Sequence, residues 1–143
     1  MKVRIAWPGL LAAGLFFWAC AAKPPVQFEV TEVATDKTYG FSQHNPIKVG
    51  GSTQSRGTDH RDWFFKFLRG PKGQPVSYVS SSTCCAFPTN STAEPLGYLE
   101  VVVVTYKGIG SPAILYVDTV NFDAPKAPVG FTLARPEIFS GPP

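Results

Sequence analysis

The chain has 143 residues, of which 44% are hydrophobic and 16% charged, enough for one domain with its own core. Its formal net charge is +3, but two of its 13 basic residues lie in the first four positions, so residues from 20 onward carry 11 basic and 10 acidic groups. No basic stripe interleaved with aromatic residues remains, which excludes the usual pattern of a nucleic-acid-binding protein. Fourteen prolines and 13 glycines predict frequent turns and favour strands over helices.

The first twenty residues predict an export signal. A basic start over residues 1–4 precedes an apolar run of about 14 residues, shorter than the ~20 residues that span a bilayer. The run ends at Cys20, and a cysteine at this place in a bacterial signal indicates cleavage before it and acylation of its thiol. We therefore expect a lipoprotein with Cys20 as its lipid-modified first residue. The alternative is ordinary cleavage at the A-x-A sequence of residues 19–21, which would release a secreted protein.

This interpretation divides the chain into four parts. Residues 1–19 are the signal peptide, 20–25 a tether, 26–139 a single globular domain and 140–143 a loose tail. The lipid would attach the protein to the outer membrane, on its periplasmic or its surface side.

Three elements are predicted in the first half of the globular part. Imperfect alternation of apolar and polar residues over 27–33 indicates a half-buried strand, and residues 47–49 are predicted to form a short strand between turn signals. Thr58 or Asp59 can cap a helix that runs to about Leu68, since glycine and proline at positions 70 and 71 are a strong stop signal.

The second half of the chain is predicted to be mostly strand. The two clearest strands flank a turn at residues 107–112 and indicate a hairpin. Together with the helix, they predict an α+β domain: a mainly antiparallel sheet of five to six strands with one short aromatic helix packed on a face. The expected strands are residues 76–79, 98–106, 113–120 and 129–133. In the hairpin we expect Val101, Val103, Ile114 and Tyr116 to be buried.

The predicted helix contains four aromatic residues in five positions, and these would bury a large apolar area. Trp63 with Phe67 and Phe64 with Leu68 form i,i+4 pairs. Because four aromatic side chains so close together cannot all face one core, Phe64 or Phe65 is expected to be partly exposed. Phe65 is therefore a candidate for a partner surface, although core packing could account for the whole cluster.

Cys84 and Cys85 are chemically unusual because they are adjacent. If Cys20 is acylated, they are the remaining thiols of a chain in an oxidising compartment. Adjacent Cα atoms lie about 3.8 Å apart, closer than the roughly 4.4–6.8 Å usual for a disulfide, so a bond between them would be easily reduced. We expect a vicinal disulfide that shapes the turn into Phe87 and Pro88 and presents that surface to a partner. Two buried thiols, a soft-metal or redox site and an intermolecular bridge remain alternatives.

The common catalytic motifs for acyl transfer, nucleotide binding and zinc hydrolysis do not occur in the sequence. Residues 59–62, Asp-His-Arg-Asp, could supply an acid/base pair, or they could cap the helix with a solvated histidine. The two histidines, His44 and His60, have no recognised metal spacing. We therefore expect no catalytic residue, no metal and no cofactor.

Five sequence blocks occur in this order: residues 30–40 (VTEVATDKTYG), 45–51 (NPIKVGG), 67–73 (FLRGPKG), 84–88 (CCAFP) and 128–131 (PVGF). Together they resemble a family of small Gram-negative envelope lipoproteins of unknown function. Members often carry the label 2-dehydro-3-deoxyphosphooctonate aldolase, which implies a phosphate-binding (β/α)₈ enzyme of roughly 250 residues. This chain is too short for that fold and lacks βαβ alternation, so we regard the label as a misassignment.

Together these features predict a non-enzymatic envelope lipoprotein that acts as an accessory or interaction subunit. Its expected contacts are a membrane, through the lipid on Cys20, and an envelope protein. The alternative is a small extracytoplasmic enzyme or thiol/redox protein that uses Cys84 and Cys85.

Overall fold

The structure is a computed structural model, and it describes residues 32–50, 57–89 and 95–134. The predicted signal, Cys20, the tether, most of the first predicted strand and the C-terminal tail lie outside the described residues. The elements are β1 (Ile47–Lys48), α1 (Gly57–Phe67), β2 (Leu68–Arg69), β3 (Val76–Pro88), β4 (Leu96–Tyr106), β5 (Ala113–Asp118) and β6 (Thr132–Leu133).

The six strands of the described residues form two sheets. The larger sheet has the order β1-β5-β4-β3, with β3, β4 and β5 antiparallel and β1 parallel to β5. The smaller sheet pairs β2 with β6. These strands and α1 confirm the predicted α+β fold, and the β4–β5 pairing confirms the predicted hairpin.

Several boundaries differ from the prediction. The helix ends at Phe67, and Leu68 belongs to β2. Strand β3 continues to Pro88 instead of ending at Val79, because its serine-rich half pairs with the apolar strand β4 and this pairing outweighs low intrinsic strand propensity. Strand β6 is only two residues long and follows Gly130, whose φ of 90° interrupts an extended backbone.

The faces of the β4–β5 hairpin are the reverse of the prediction. The side chains of Ile114 and its neighbours were expected to form the core, yet Ile114 is 51% exposed and Val101, Val103 and Tyr116 are half-buried. The fully buried apolar side chains of the hairpin are instead Val102, Val104, Leu115 and Val117. Residues 101–104 are all valine, so apolar alternation carries no information there about which face is buried.

Helix α1 packs on the buried face of the larger sheet. Phe64 and Phe65 are both buried, with ring centroids 5.3 Å apart, and the Phe65 ring stacks on Tyr78 of β3 at 4.5 Å. Consecutive helical residues are separated by about 100°, so two neighbours can both lie within a wide apolar stripe. Trp63 and Phe67 form the predicted i,i+4 pair, with centroids 4.4 Å apart.

The buried cluster joins all of these elements. It includes Ile47 and Val49 near β1, the helix residues, and Phe131, whose ring meets Tyr106 edge-on at 5.9 Å. Within the described residues, no helix is long and apolar enough to cross a membrane.

The assignment of buried and outer faces in the hairpin can be tested by comparing the stability of two variants. Val102→Asp places a charge in a fully buried site, so we expect the free energy of unfolding to fall by about 3–5 kcal/mol, measured by urea denaturation. Val103→Asp, one residue away on the outer face, is the matched control and should cost clearly less. Equal losses for the two variants would contradict the assignment of faces.

Candidate functional site

The ladder between β3 and β4 extends well beyond the core. Strand β4 has 11 residues, but β5 pairs only with its part from Glu100 to Val104. Among the described residues, the first four of β4 therefore pair with β3 alone. At the end of this segment the backbone N–H of Thr89 donates to the carbonyl oxygen of Pro95 at 3.0 Å. The fold thus carries a two-stranded extension at one end of the sheet.

One face of this extension is an exposed apolar surface. Ala86 is opposite Tyr98 and Pro88 is opposite Leu96, so all four side chains lie on the same face. Leu96 is 59% exposed, Tyr98 is 57% exposed, and the two β3 residues are also exposed. We call Ala86, Pro88, Leu96 and Tyr98 the distal patch. It continues the buried face of the sheet, beyond the region that contacts α1.

The opposite face of the extension is packed. Phe87 is half-buried and opposite Gly97, where an added Cβ would lie 2.6 Å from the Phe87 ring. Leu99, which points to the same side, is only 2% exposed. A side chain at position 97 would displace the aromatic ring, so glycine is needed for this close approach.

Two bulges in β3 determine which side chains form the distal patch. The register shifts between Ser80 and Ser82 and again between Cys84 and Ala86. Each extra residue changes the alternation of the strand by one position. The two bulges together restore the original alternation but advance the register by two residues, so Ala86 lies opposite Tyr98, where Cys84 would otherwise lie.

The second bulge contains the adjacent cysteines. The structure pairs Cys84 and Cys85 as a disulfide, with Cα atoms 3.7 Å apart. Cys85 has a φ of 56°, in the left-handed region that few non-glycine residues adopt. Its sulfur lies 2.8 Å from Oε1 of Gln43, so the bulge touches the turn that precedes β1. The vicinal pair therefore lies at the base of the distal patch.

The three residues that the sequence predicts for a partner surface lie in different parts of the structure. Phe65 is 1% exposed because its ring is covered by Tyr78 and Phe64, so its prediction as a surface residue is wrong. Pro88 is exposed and belongs to the distal patch, whereas Phe87 lies on the other face. Sequence analysis missed Leu96 and Tyr98, which only the register of β4 places beside Pro88.

An ion-pair network marks the border between the core and the distal patch. The Arg61 guanidinium contacts the Glu100 carboxylate and lies 2.8 Å from Asp62 Oδ1. Tyr78 O–H donates to the same Asp62 oxygen at 2.9 Å. Burial opposes the charge on Arg61, but Asp62 and Glu100 outweigh it and raise the arginine pKa. Burial, reinforced by Asp62, also raises the pKa of Tyr78.

The predicted acid/base segment thus has structural contacts. His60 is 8% exposed, and its Nδ1–H donates to the carbonyl oxygen of Val49 at 3.0 Å, so the expectation of a solvated histidine is wrong. Arg61 and Asp62 connect the helix to β3 and β4. The side chain of Asp59 lies outside the described part of the molecule.

A polar cleft of about 630 Å³ lies on another side of the molecule. Its charged groups have bonding partners: Lys126 lies 2.8 Å from Glu32, and Asp36 accepts from Thr38 and Asn45. These contacts lower the carboxyl pKa values of Glu32 and Asp36. Among the described side chains, no cluster of three or more His, Cys, Asp or Glu is placed to hold a metal ion.

The disulfide gives a direct chemical prediction. In protein isolated without reductant, the peptide that contains Cys84 and Cys85 should be lighter than its dithiol form by the mass of two hydrogen atoms. Because the bond closes only a small ring, mild reductant should open it without unfolding the domain. Complete labelling of both thiols by maleimide in the untreated protein would contradict this prediction.

Comparison with known proteins gives no family for this chain. Neither a protein-family model, nor a curated protein, nor a solved structure matches the chain.

Proposed function

We propose that this chain is a lipid-anchored protein of the bacterial envelope and acts as a non-enzymatic interaction subunit. In this proposal, acylated Cys20 holds the domain at the outer membrane, and the distal patch binds an apolar surface of a partner protein. The observation that carries the proposal is the exposure of Leu96 and Tyr98 together on one face of the two-stranded extension.

The distal patch has the chemistry of a protein-binding surface. Complete burial of a large apolar side chain is worth roughly 1.5–3 kcal/mol, and Tyr98 and Leu96 are both more than half exposed. Tyrosine is also enriched at the energetic centres of protein interfaces. All four residues of the distal patch are uncharged, so they fit an apolar partner surface better than a charged one.

The fold also holds this surface in place. Packing of Phe87 against Gly97 covers the back of the extension, and the bulge at Cys85 contacts Gln43 at its base. Strands paired across a ladder lose little further conformational freedom on binding. A preorganised surface of this kind favours affinity because less ordering entropy is lost.

The sequence supports the anchor. A tether of six residues reaches about 20 Å when extended and would keep the domain close to the membrane. From Cys20 onward the charges almost cancel and the sequence contains no run of basic residues, so little electrostatic attraction to anionic lipids is expected. Membrane association is therefore expected to depend on the lipid.

A thiol/redox role is the second candidate function. It is favoured by the disulfide at a bulge with a left-handed Cys85. The double variant with Cys84→Ser and Cys85→Ser distinguishes the two functions. It should keep partner binding if the distal patch is the functional site. It should lose the thiol/redox activity if the two cysteines are the functional site.

The anchor is tested by fractionation. We expect Cys20→Ser to leave the membrane fraction or to remain an unprocessed precursor, because one set of acyl chains supplies most of the membrane affinity. Protein of mature length that still sediments with membranes would contradict the lipoprotein proposal. Cleavage of the unsubstituted chain that is insensitive to globomycin would favour the secreted alternative.

The partner surface is tested by cross-linking in intact cells and recovery from detergent-solubilised envelope. Leu96→Lys places a charge in the distal patch and should reduce recovery of an envelope partner at least tenfold, while the melting temperature stays near that of the unsubstituted protein. Val33→Lys is the matched control, because Val33 is also apolar and 48% exposed but lies outside the patch. Equal recovery with the two variants would contradict the proposed surface.

A further inference from the structure

The sulfur of Cys85 contacts a side chain from a different part of the chain. It lies 2.8 Å from Oε1 of Gln43, and Nε2 of the same amide lies 3.3 Å from Nε2 of His44. A disulfide sulfur carries no hydrogen atom, so it cannot donate to the Gln43 oxygen. If the amide turned over, its N–H group would donate to the sulfur and its oxygen would face the histidine ring. The Gln43 amide is therefore placed to stabilise negative charge on the Cys85 sulfur.

The backbone of Cys85 is held in an uncommon conformation. Its φ of 56° lies in the left-handed region, and none of the described β4 residues lies opposite it in the ladder. The disulfide ties this residue to Cys84. Opening the bond removes that constraint, which favours the reduced form. Strained non-glycine residues of this kind are concentrated at functional sites.

The disulfide is also within reach of solvent. Cys84 and Cys85 are both half-buried, and the flanking residues Thr83 and Ala86 are exposed. A thiolate that attacks a disulfide breaks it fastest when the departing sulfur is the one that better holds negative charge. Because the Gln43 amide contacts Cys85, the Cys85 sulfur is the better leaving group.

We infer that the Cys84–Cys85 disulfide is a site of thiol–disulfide exchange, at which a thiolate of another molecule attacks Cys84 and Cys85 leaves. The inference rests on the thiol/redox candidate function and is independent of the distal patch. Its substrate class is a thiol compound, either a small molecule or a protein with a pair of cysteines. The Gln43 amide acts on the leaving sulfur, so it changes the rate of exchange without forming a covalent bond.

The exchange balances in two steps. In the first step, the incoming thiolate bonds to the Cys84 sulfur while the Cys84–Cys85 bond breaks, and the electron pair of that bond stays on Cys85, which takes a proton from water. In the second step, another thiolate of the donor attacks the donor sulfur of the mixed disulfide and releases Cys84, which is also protonated. The chain gains two electrons and two protons, and two donor thiols become one disulfide.

The attacked sulfur is identified by trapping the mixed disulfide. The oxidised full chain, solubilised in detergent, is mixed with 2-mercaptoethanol and quenched with N-ethylmaleimide, and the peptide that contains both cysteines is sequenced by tandem mass spectrometry. We expect mercaptoethanol on Cys84 and maleimide on Cys85, in at least tenfold excess over the reverse arrangement. Equal amounts of the two products, or an excess of the reverse one, would overturn the inference. A disulfide that does not react at all would remove the thiol/redox candidate function as well.

The role of Gln43 is tested by the rate of the same reaction. Gln43→Met removes the N–H donor without adding a charge, so the rate should fall at least fivefold while the melting temperature stays near that of the unsubstituted chain. Gln43→Lys supplies a donor again and should restore the rate, which a merely structural side chain would not do. Gln74→Met is the matched control, because Gln74 precedes the opposite end of β3 and should not affect the rate. Equal rates for Gln43→Met and the unsubstituted chain would contradict this role.

The two sources of thiol are separated by comparing 2-mercaptoethanol with reduced thioredoxin, a protein dithiol, each relative to its rate with oxidised glutathione. A higher relative rate for thioredoxin supports a protein as the donor, and a higher relative rate for 2-mercaptoethanol supports a small thiol. Attack at Cys84 is required in both cases. Leu96→Lys should react at the unsubstituted rate, so failure of the distal patch as a partner site is distinguishable from failure of the exchange site.

Discussion

The antiparallel pairing of β3 with β4 is the constraint on which the rest of the molecule depends. The two strands run together over most of their length, but β5 covers only the section of β4 from Glu100 to Val104. The covered section supplies the core, since Val102 and Val104 pack beneath the helix. The uncovered section has the same kind of apolar side chains, and no third strand within the described part of the chain lies beside it. One long ladder thus provides both the centre of the domain and its exposed extension.

The border between these sections is polar. Arg61 and Glu100 have side chains only 15% and 13% exposed, and they neutralise each other where the helix meets β4. Removing one partner of a largely buried pair commonly costs about 3–5 kcal/mol, because the remaining charge stays desolvated. Asp62 and Tyr78 extend the network to β3. Two residues of the segment that resembled an acid/base site in the sequence, Arg61 and Asp62, therefore connect three elements of the fold.

The sequence was sufficient to predict elements whose signals are local. The helix had aromatic i,i+4 pairs and a glycine-proline stop, and the β4–β5 hairpin had a glycine-rich turn between two apolar runs. Which face of β4 is buried could not be predicted, because residues 101–104 are all valine and both faces of the strand are equally apolar there. The extension was missed for a different reason. A serine-rich segment such as residues 80–83 forms a strand only because β4 pairs with it, and bulges follow from tertiary register that sequence alone does not contain.

The valine run also bears on how the chain folds. If β4 slipped by one residue against its neighbours, the core would still contain valines, so hydrophobic packing alone would discriminate weakly between the two registers. The slipped register would turn Glu100 to the other face and leave Arg61 with Asp62 alone, whose side chain is half exposed. The Arg61–Glu100 ion pair therefore favours the native register over the slipped one, because the slipped sheet would contain a largely buried charge with less compensation.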